Sequence, residues 1–171
     1  RTVMESIAES GDRVVVHQAL KHLVVAGNAL IFMSKDGLKL YPLSRYVVDR
    51  DGNGNVIEIV TKETISKKLI KKFYPEYEDK AQDSVVDDGH IPNDECVIYT
   101  HVKLDNNRWI WHQELEGNIL PKSMGKAPFD ANPWLVLRFN HVDGEVYGRG
   151  RVEEFLGDLK SLEALSQAIV E

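Results

Sequence analysis

The sequence contains a single cysteine, no N-glycosylation acceptor and no apolar run long enough to cross a bilayer. Because Cys96 has no partner, an internal disulfide framework is excluded, which favours assembly in a reducing, intracellular compartment. The longest apolar stretch, residues 23–33, is interrupted by Gly27 and Asn28 and is shorter than the roughly 20 residues of a transmembrane helix. No signal-peptide pattern is present. These absences predict a globular chain with no membrane partner.

The signatures of nucleotide binding and zinc hydrolysis are absent as well. Residues 125–127 resemble the end of a P-loop, but Ala127 stands where Ser or Thr is needed. Gly144, Gly148 and Gly150 lack the spacing of a dinucleotide-binding loop, so they favour a hinge between a strand and a helix. No His-Glu-x-x-His pair occurs. We therefore expect no cofactor and no enzymatic activity.

Acidic charge is concentrated in one segment. The chain of 171 residues has 27 acidic and 21 basic residues, a net charge of −6. Residues 75–95 hold eight acidic residues and one lysine, a local charge of −7, which leaves about +1 for the remainder. Because residues 76–94 also lack periodic apolar positions, we predict an acidic, mobile surface loop there. Net charge therefore does not exclude contact between the folded remainder and DNA.

Hydrophobic periodicity predicts short strands combined with three helices. A first, buried helix runs from possible caps at residues 10–12 to a stop at Gly27 and Asn28. β-rich runs bounded by Gly, Asn and Pro predict the strands. The predicted strands are residues 28–33, 38–41, 46–49, 56–61, 95–104, 108–115 and 134–139, and the later helices are residues 65–74 and 151–171.

These elements predict an α+β fold, in which an antiparallel twisted sheet of hairpins follows an N-terminal helix. A short excursion helix interrupts the strands, and a long C-terminal helix follows them. In the hairpin formed by residues 95–115, we expect Val97 and Tyr99 to point inward, near Trp109 and Trp111.

A metal site is the main catalytic alternative. The loop from Asp49 to Asn55 resembles a calcium loop at several ligand positions, but Val60 stands where the bidentate Glu is needed and the flanks are β-rich, which favours a simple hairpin turn. His101 and His112 fall on paired strands, although the sequence offers no third ligand. A metal-dependent enzyme that uses this loop and these histidines, or a generic β-rich adaptor module, are the alternative functions.

Several longer strings are specific to one family. They are Ala-Leu-Lys-His-Leu-Val-Val-Ala-Gly-Asn at 19–28, Tyr-Val-Val-Asp-Arg-Asp at 46–51, Tyr-Thr-His-Val at 99–102, Asp-Gly-Glu-Val-Tyr-Gly-Arg at 143–149 and Glu-Glu-Phe-Leu-Gly-Asp-Leu at 153–159. In their order along the chain and in their residues, these strings resemble the portal, or head-to-tail connector, proteins of short-tailed bacteriophages of the podovirus type. The resemblance covers most of the chain except the acidic segment.

The resemblance implies a structural protein that acts by assembly. Members of the family form a homo-oligomeric ring, a dodecamer, at one capsid vertex of the virion, and they assemble in the host cytoplasm. The ring is a conduit for double-stranded DNA during packaging and ejection. Its implied partners are the packaging motor (terminase), scaffold and capsid proteins, and tail adaptor proteins.

The same resemblance divides the chain into residues 1–150, a wing-like α+β domain, and residues 151–171, the start of a long helix that leads toward the stem. The sequence begins without Met and ends without a helix stop signal, so we interpret it as an internal fragment. The apolar stripe of the final helix makes Phe155, Leu159 and Leu162 the candidate subunit-interface residues.

Overall fold

The fold is that of a computed structural model, which describes residues 11–74 and 95–170. The acidic loop predicted at residues 76–94 lies outside these residues. The described chain forms two compact units. The first unit contains residues 11–44, 50–56 and 133–170, and the second contains residues 45–49, 57–74 and 95–132.

The order of elements confirms the predicted α+β class. The helices are α1 (Asp12–Ala26), α2 (Lys67–Phe73), α3 (Arg151–Glu154) and α4 (Leu156–Val170). The strands are β1 (Asn28–Ser34), β2 (Gly37–Tyr41), β3 (Tyr46–Arg50), β4 (Val56–Ser66), β5 (Glu95–Asp105), β6 (Arg108–Leu115), β7 (Asn118–Ile119), β8 (Gly125–Pro128) and β9 (Trp134–Arg138).

The first unit is built on a three-stranded antiparallel sheet in the order β2-β1-β9. The central strand pairs with β2 through a tight hairpin and with β9 from about 100 residues later, with Leu30 opposite both Tyr41 and Val136. The helix α1 covers one face of this sheet, where Ala19, Ala29 and Ile31 form a buried cluster. The sheet therefore joins the beginning and the end of the described chain.

The helix α1 is less buried than we predicted. Ala19 is buried, but Val14, Val16, Leu20, Val24 and Val25 are all exposed. Apolar residues occur around much of the helix, and only the side that contacts the sheet is covered. The predicted stop is confirmed, because Gly27 adopts a left-handed conformation and its N–H donates to the carbonyl of Leu23 at 2.9 Å.

The second unit contains an antiparallel sheet of six strands, in the order β3-β4-β5-β6-β7 with β8 also paired to β6. Its longest hairpin joins β5 to β6 through Asn106 and Asn107, both at positive φ, as a tight hairpin turn requires. Short helix α2 packs on the sheet through Ile70, which contacts a core that also contains Ile98 and Leu120.

The inward face of β5 is shifted by one residue from our prediction. Cys96, Ile98 and Val102 are buried, whereas Tyr99 is exposed, so the expectation that Val97 and Tyr99 point inward was wrong. Apolar residues occupy both faces of this strand, so alternation alone does not fix which set faces the core. The residues of α2 and β6 that pack against β5 determine which of its faces is buried.

Two boundaries also differ from the prediction. The strand β4 continues to Ser66, which pairs with Glu95, so the following helix begins two residues later than expected. The final helix is interrupted at Phe155, whose φ of −109° and ψ of 15° lie outside the helical range. The short α3 and the longer α4 are therefore separate segments.

We expect Leu120→Ala to lower the free energy of unfolding by about 2–5 kcal/mol, because Leu120 is fully buried and its truncation leaves a cavity. Ile119→Ala is the matched control, since the neighbouring Ile119 is 54% exposed and its loss should change stability by about 0.5 kcal/mol or less. Urea unfolding of the two variants measures both values. Equal losses would contradict this assignment of the core.

Candidate functional site

The segment that leads into the final helix crosses the end of α1 at a junction organised by Asn28. This side chain is buried, with 3% of its surface exposed. Its amide nitrogen donates to the carbonyl of Gly148 at 2.7 Å and to the carbonyl of Ala26 at 3.0 Å, and its amide oxygen accepts from the N–H of Gly148 at 2.7 Å. One side chain therefore satisfies both backbone polar groups of a residue 120 positions away.

Three glycines allow the backbones to approach each other at this junction. A Cβ added to Gly150 would lie 2.2 Å from the carbonyl oxygen of Val25, and one added to Gly148 would lie 2.7 Å from that of Gly27. Gly27 is equally tight, with the carbonyl carbon of Arg149 at 2.3 Å from such an atom. The chain can cross the end of α1 only where side chains are absent.

The glycines of this segment have two different roles. Gly144 adopts a φ of 80°, as expected of a turn residue. Neither Gly148 nor Gly150 has a positive φ, so what the fold requires of them is their lack of a side chain. We predicted a hinge here. At Gly148 and Gly150 the backbone instead packs tightly against the backbone at the end of α1.

Further contacts hold the loop that precedes α3. The N–H of Phe139 donates to the carbonyl of Gly27 at 2.9 Å, and Asn140 and Arg149 form an isolated antiparallel bridge. The guanidinium of Arg50 donates to the carbonyl of Val146 at 3.0 Å. The bridge closes the loop on itself, and the other two hydrogen bonds attach it to Gly27 and Arg50 elsewhere in the first unit.

Charged and aromatic side chains surround the base of the final helix. The guanidinium of Arg151 lies 5.7 Å from the ring centroid of Phe139 and 6.0 Å from that of Phe155, and it pairs with the carboxylate of Glu154 at 3.1 Å. A hydrogen bond from Arg149 lowers the pKa of Glu145. Both ion pairs are exposed, so they orient the helix start more than they stabilise it.

The predicted interface residues all lie on the exposed surface of the final helix. Phe155, Leu159 and Leu162 are 47%, 46% and 64% exposed. Leu159, Leu162 and Ile169 share one side of α4, because they follow one another at intervals of three and seven. Phe155 lies at the break directly before α4, four residues ahead of Leu159. We refer to these four residues as the α4 seam. A large apolar stripe exposed to water is typical of a surface that a partner covers.

In the calcium-like loop, the carboxylate of Asp51 accepts hydrogen bonds from other residues of the same loop. One carboxylate oxygen of Asp51 accepts from the N–H groups of Asn53 and Asn55 at 2.9 and 2.7 Å, and the other accepts from the side-chain amide of Asn55 at 3.0 Å. These bonds, that from the Asn55 side chain foremost, lower the pKa of Asp51. The loop is a self-capped turn in which Asp51 organises the backbone.

The two histidines do come together, but each is paired with a carboxylate. His101 lies opposite His112 in the β5–β6 ladder, with ring centroids 5.2 Å apart. His101 Nε2 is hydrogen-bonded to Glu58, and His112 Nε2 lies 2.7 Å from Glu114. Within residues 11–74 and 95–170, no three His, Cys, Asp or Glu side chains are arranged to hold a metal ion.

Comparison with known sequences identifies the family of this chain. The profile described as "Bacteriophage head to tail connecting protein" matches residues 1–171. The chain belongs to this family of connecting proteins. None of the helices in the described residues of this connecting-protein chain is long and apolar enough to cross a membrane.

Three similar proteins carry the name portal protein. The chain is 40% identical to the portal protein of Escherichia phage T7 and 40% identical to that of Enterobacteria phage T3, in each case over 99% of this chain and 32% of the relative. It is 29% identical to the portal protein of Pseudomonas phage phiKMV over 99% of this chain and 33% of the relative. The chain thus spans about a third of the length of these relatives.

Sequence reasoning missed the role of Asn28. We interpreted Gly27 and Asn28 as the stop signal of α1 and gave the Asn28 side chain no role, although Asn28 begins a strand in which the next five residues are apolar. A polar residue in such a run must find a buried partner, and this was the available signal. The partner itself, Gly148, is too distant in sequence to be inferred from that signal.

We expect Gly150→Ala to destabilise the protein by about 1–3 kcal/mol, because the new methyl group overlaps the carbonyl of Val25. Gly157→Ala is the matched control. Nothing lies within 4 Å of a Cβ at Gly157, and alanine is the better helix former, so this variant should be up to about 1 kcal/mol more stable than the parent. Denaturant unfolding compares the two. The packed crossing would be disproved by two variants of equal stability.

We expect Asn55→Ala to raise the pKa of Asp51 toward its ordinary value, because the largest cause of the lowered pKa is removed. A group with a lowered folded pKa stabilises the fold above its unfolded pKa, and this contribution is lost as the pH falls through the folded pKa. Carboxyl NMR titration measures the shift. Asn53→Ala is the control, since Asn53 contributes only its backbone N–H and this variant should leave the pKa unchanged.

Proposed function

We propose that the protein containing this chain is a portal, a structural ring at one capsid vertex of the virion. The ring acts by assembly and not by catalysis. It passes double-stranded DNA during packaging and ejection, and it docks the packaging motor, scaffold and capsid proteins, and tail adaptors. The observation that carries the proposal is the α4 seam, an uncovered apolar stripe on a helix rooted in the Asn28 junction, in a member of the head-to-tail connecting family.

The α4 seam supports oligomerisation through its size and its anchoring. Its four residues are large, apolar and at least 46% exposed, and burying each such side chain contributes about 1.5–3 kcal/mol. The packed crossing at Gly148 and Gly150 fixes the base of the helix, so association spends little free energy on ordering that end. We propose twelve copies, on the resemblance to dodecameric portals.

The charge distribution is compatible with a conduit through which DNA slides. Excluding residues 75–95, the chain is close to neutral, with about one excess positive charge. Each cation that contacts a phosphate adds salt-dependent affinity, so a densely cationic channel would retain DNA. A nearly neutral channel wall would favour the passage of DNA over its retention.

The carboxylates and histidines also support a structural role. Asp51 is occupied by the turn that it caps, and His101 and His112 are each held by a glutamate on the same sheet. A catalytic acid or base needs an open position beside a substrate. The hydrogen-bonding groups of these side chains serve the fold.

We expect Leu162→Asp in the full-length protein to weaken ring assembly about tenfold or more, because a seam residue is lost from every interface. Sedimentation velocity at several concentrations measures the ring fraction. Ala164→Asp places the same charge on the same helix outside the seam, so it should assemble like the parent.

A parent protein that stays monomeric while folded would refute the portal assignment. Turnover of a substrate that disappears in Asp51→Ala would instead support an enzyme that uses the Asp51 loop.

A further inference from the structure

A second uncovered apolar stripe lies on α1, beside the side of the helix that contacts the sheet. Val16, Leu20 and Val24 follow one another at intervals of four and are 41%, 55% and 45% exposed. Ala19 and Leu23, each three residues after a member of this stripe, pack on the core of the first unit, so the stripe borders the covered side of the helix. We refer to the three exposed residues as the α1 face. The first unit therefore carries two separate apolar surfaces, this face and the α4 seam.

Positive charges flank the α1 face. Arg13, His17 and Lys21 also follow at intervals of four, are exposed, and lie beside the apolar stripe on the helix surface. Among the residues that the structure describes, neither Arg13 nor Lys21 has an ion-pair partner. The acid at the start of the helix, Asp12, accepts a hydrogen bond from the N–H of Leu38 at 2.9 Å.

Negative charges flank the α4 seam. Asp158 immediately precedes Leu159, and Glu163 immediately follows Leu162, so the two carboxylates border the stripe. Both are exposed, and neither forms an ion pair with another described residue. The two apolar surfaces are therefore complementary in charge.

We infer that the α4 seam of one copy packs on the α1 face of the next copy around the ring. This inference rests on the proposed ring. A ring requires a heterologous contact, in which two different surfaces of each subunit meet, and the first unit offers two such surfaces. Apolar residues pack at the centre of the contact, while Asp158 and Glu163 face the cations Arg13 and Lys21 at its edges.

The charges disfavour the symmetric alternatives. Two α4 seams packed together would bring Asp158 and Glu163 of one copy against the same residues of the other. Two α1 faces would likewise bring together cations at Arg13 and Lys21. Like charges at the edges of a helical interface destabilise it, whereas the mixed pairing removes both conflicts. The occupant of the α1 face is therefore a second copy of this chain.

The experiment is disulfide cross-linking between two variants of the full-length protein in which the native cysteines, including Cys96, are replaced by alanine. One variant carries Leu20→Cys and the other carries Leu162→Cys, with an affinity tag on one of them. After assembly of an equal mixture, mild oxidation should give a cross-linked heterodimer, and neither variant alone should give a dimer. Gln18→Cys replaces Leu20→Cys in the matched control, because Gln18 is exposed on α1 away from the stripe.

Each outcome has a defined meaning. Dimers from the Leu162→Cys variant alone would overturn the inference in favour of a symmetric contact. In the chain carrying both substitutions, a cross-link confined to single chains would mean that the seam covers the α1 face of its own subunit. Rings without the heterodimer would overturn this contact but leave the portal function intact, whereas a folded monomer would defeat the portal function itself.

Charge exchange provides a second readout. Lys21→Glu alone and Glu163→Lys alone should each lower the fraction of protein in rings, because each variant introduces a like-charge pair. The double variant should restore the ring fraction of the parent, since the pair is re-formed in reverse. A double variant as defective as the sum of the two single variants would contradict direct pairing across the contact.

Discussion

The two hydrogen bonds between the Asn28 amide and the backbone of Gly148 are the interaction on which the first unit depends. They join the end of α1, the start of β1 and the segment that leads into α3. An amide can donate and accept at once, and aspartate or leucine cannot, so the position requires this side chain. Because the bonds are buried, their loss would leave both polar groups of Gly148 without water as a substitute.

Local chemistry made much of the fold predictable. The stop at Gly27 and the Asn106–Asn107 turn each depend on residues close in sequence, and each was found where expected. The final helix also forms at the predicted residues, but it is interrupted at Phe155. The outward position of Tyr99 and the exposed side of α1 were not predictable, because they depend on which neighbours supply the core. Likewise, the pairing of β1 with β9 and the Asn28 contact with Gly148 join residues more than 100 positions apart.

The candidate site was predictable in part for the same reason. The apolar spacing of Phe155, Leu159 and Leu162 is written in the sequence, and all three are exposed as an interface would need. Their role at an interface stays a prediction. The α1 face could not be predicted from the sequence, because an apolar helix near the start of a domain is expected to be buried in the core. Only the position of the sheet shows that Val16, Leu20 and Val24 remain uncovered.

The interruption at Phe155 gives the final helix the properties of a lever. Beyond it, α4 contains 15 residues and is therefore about 22 Å long. A rotation of about 10° at this point would displace the far end by about 4 Å, while α3 stays fixed against the glycine crossing. A small change of angle at one residue is thus magnified at the far end of α4.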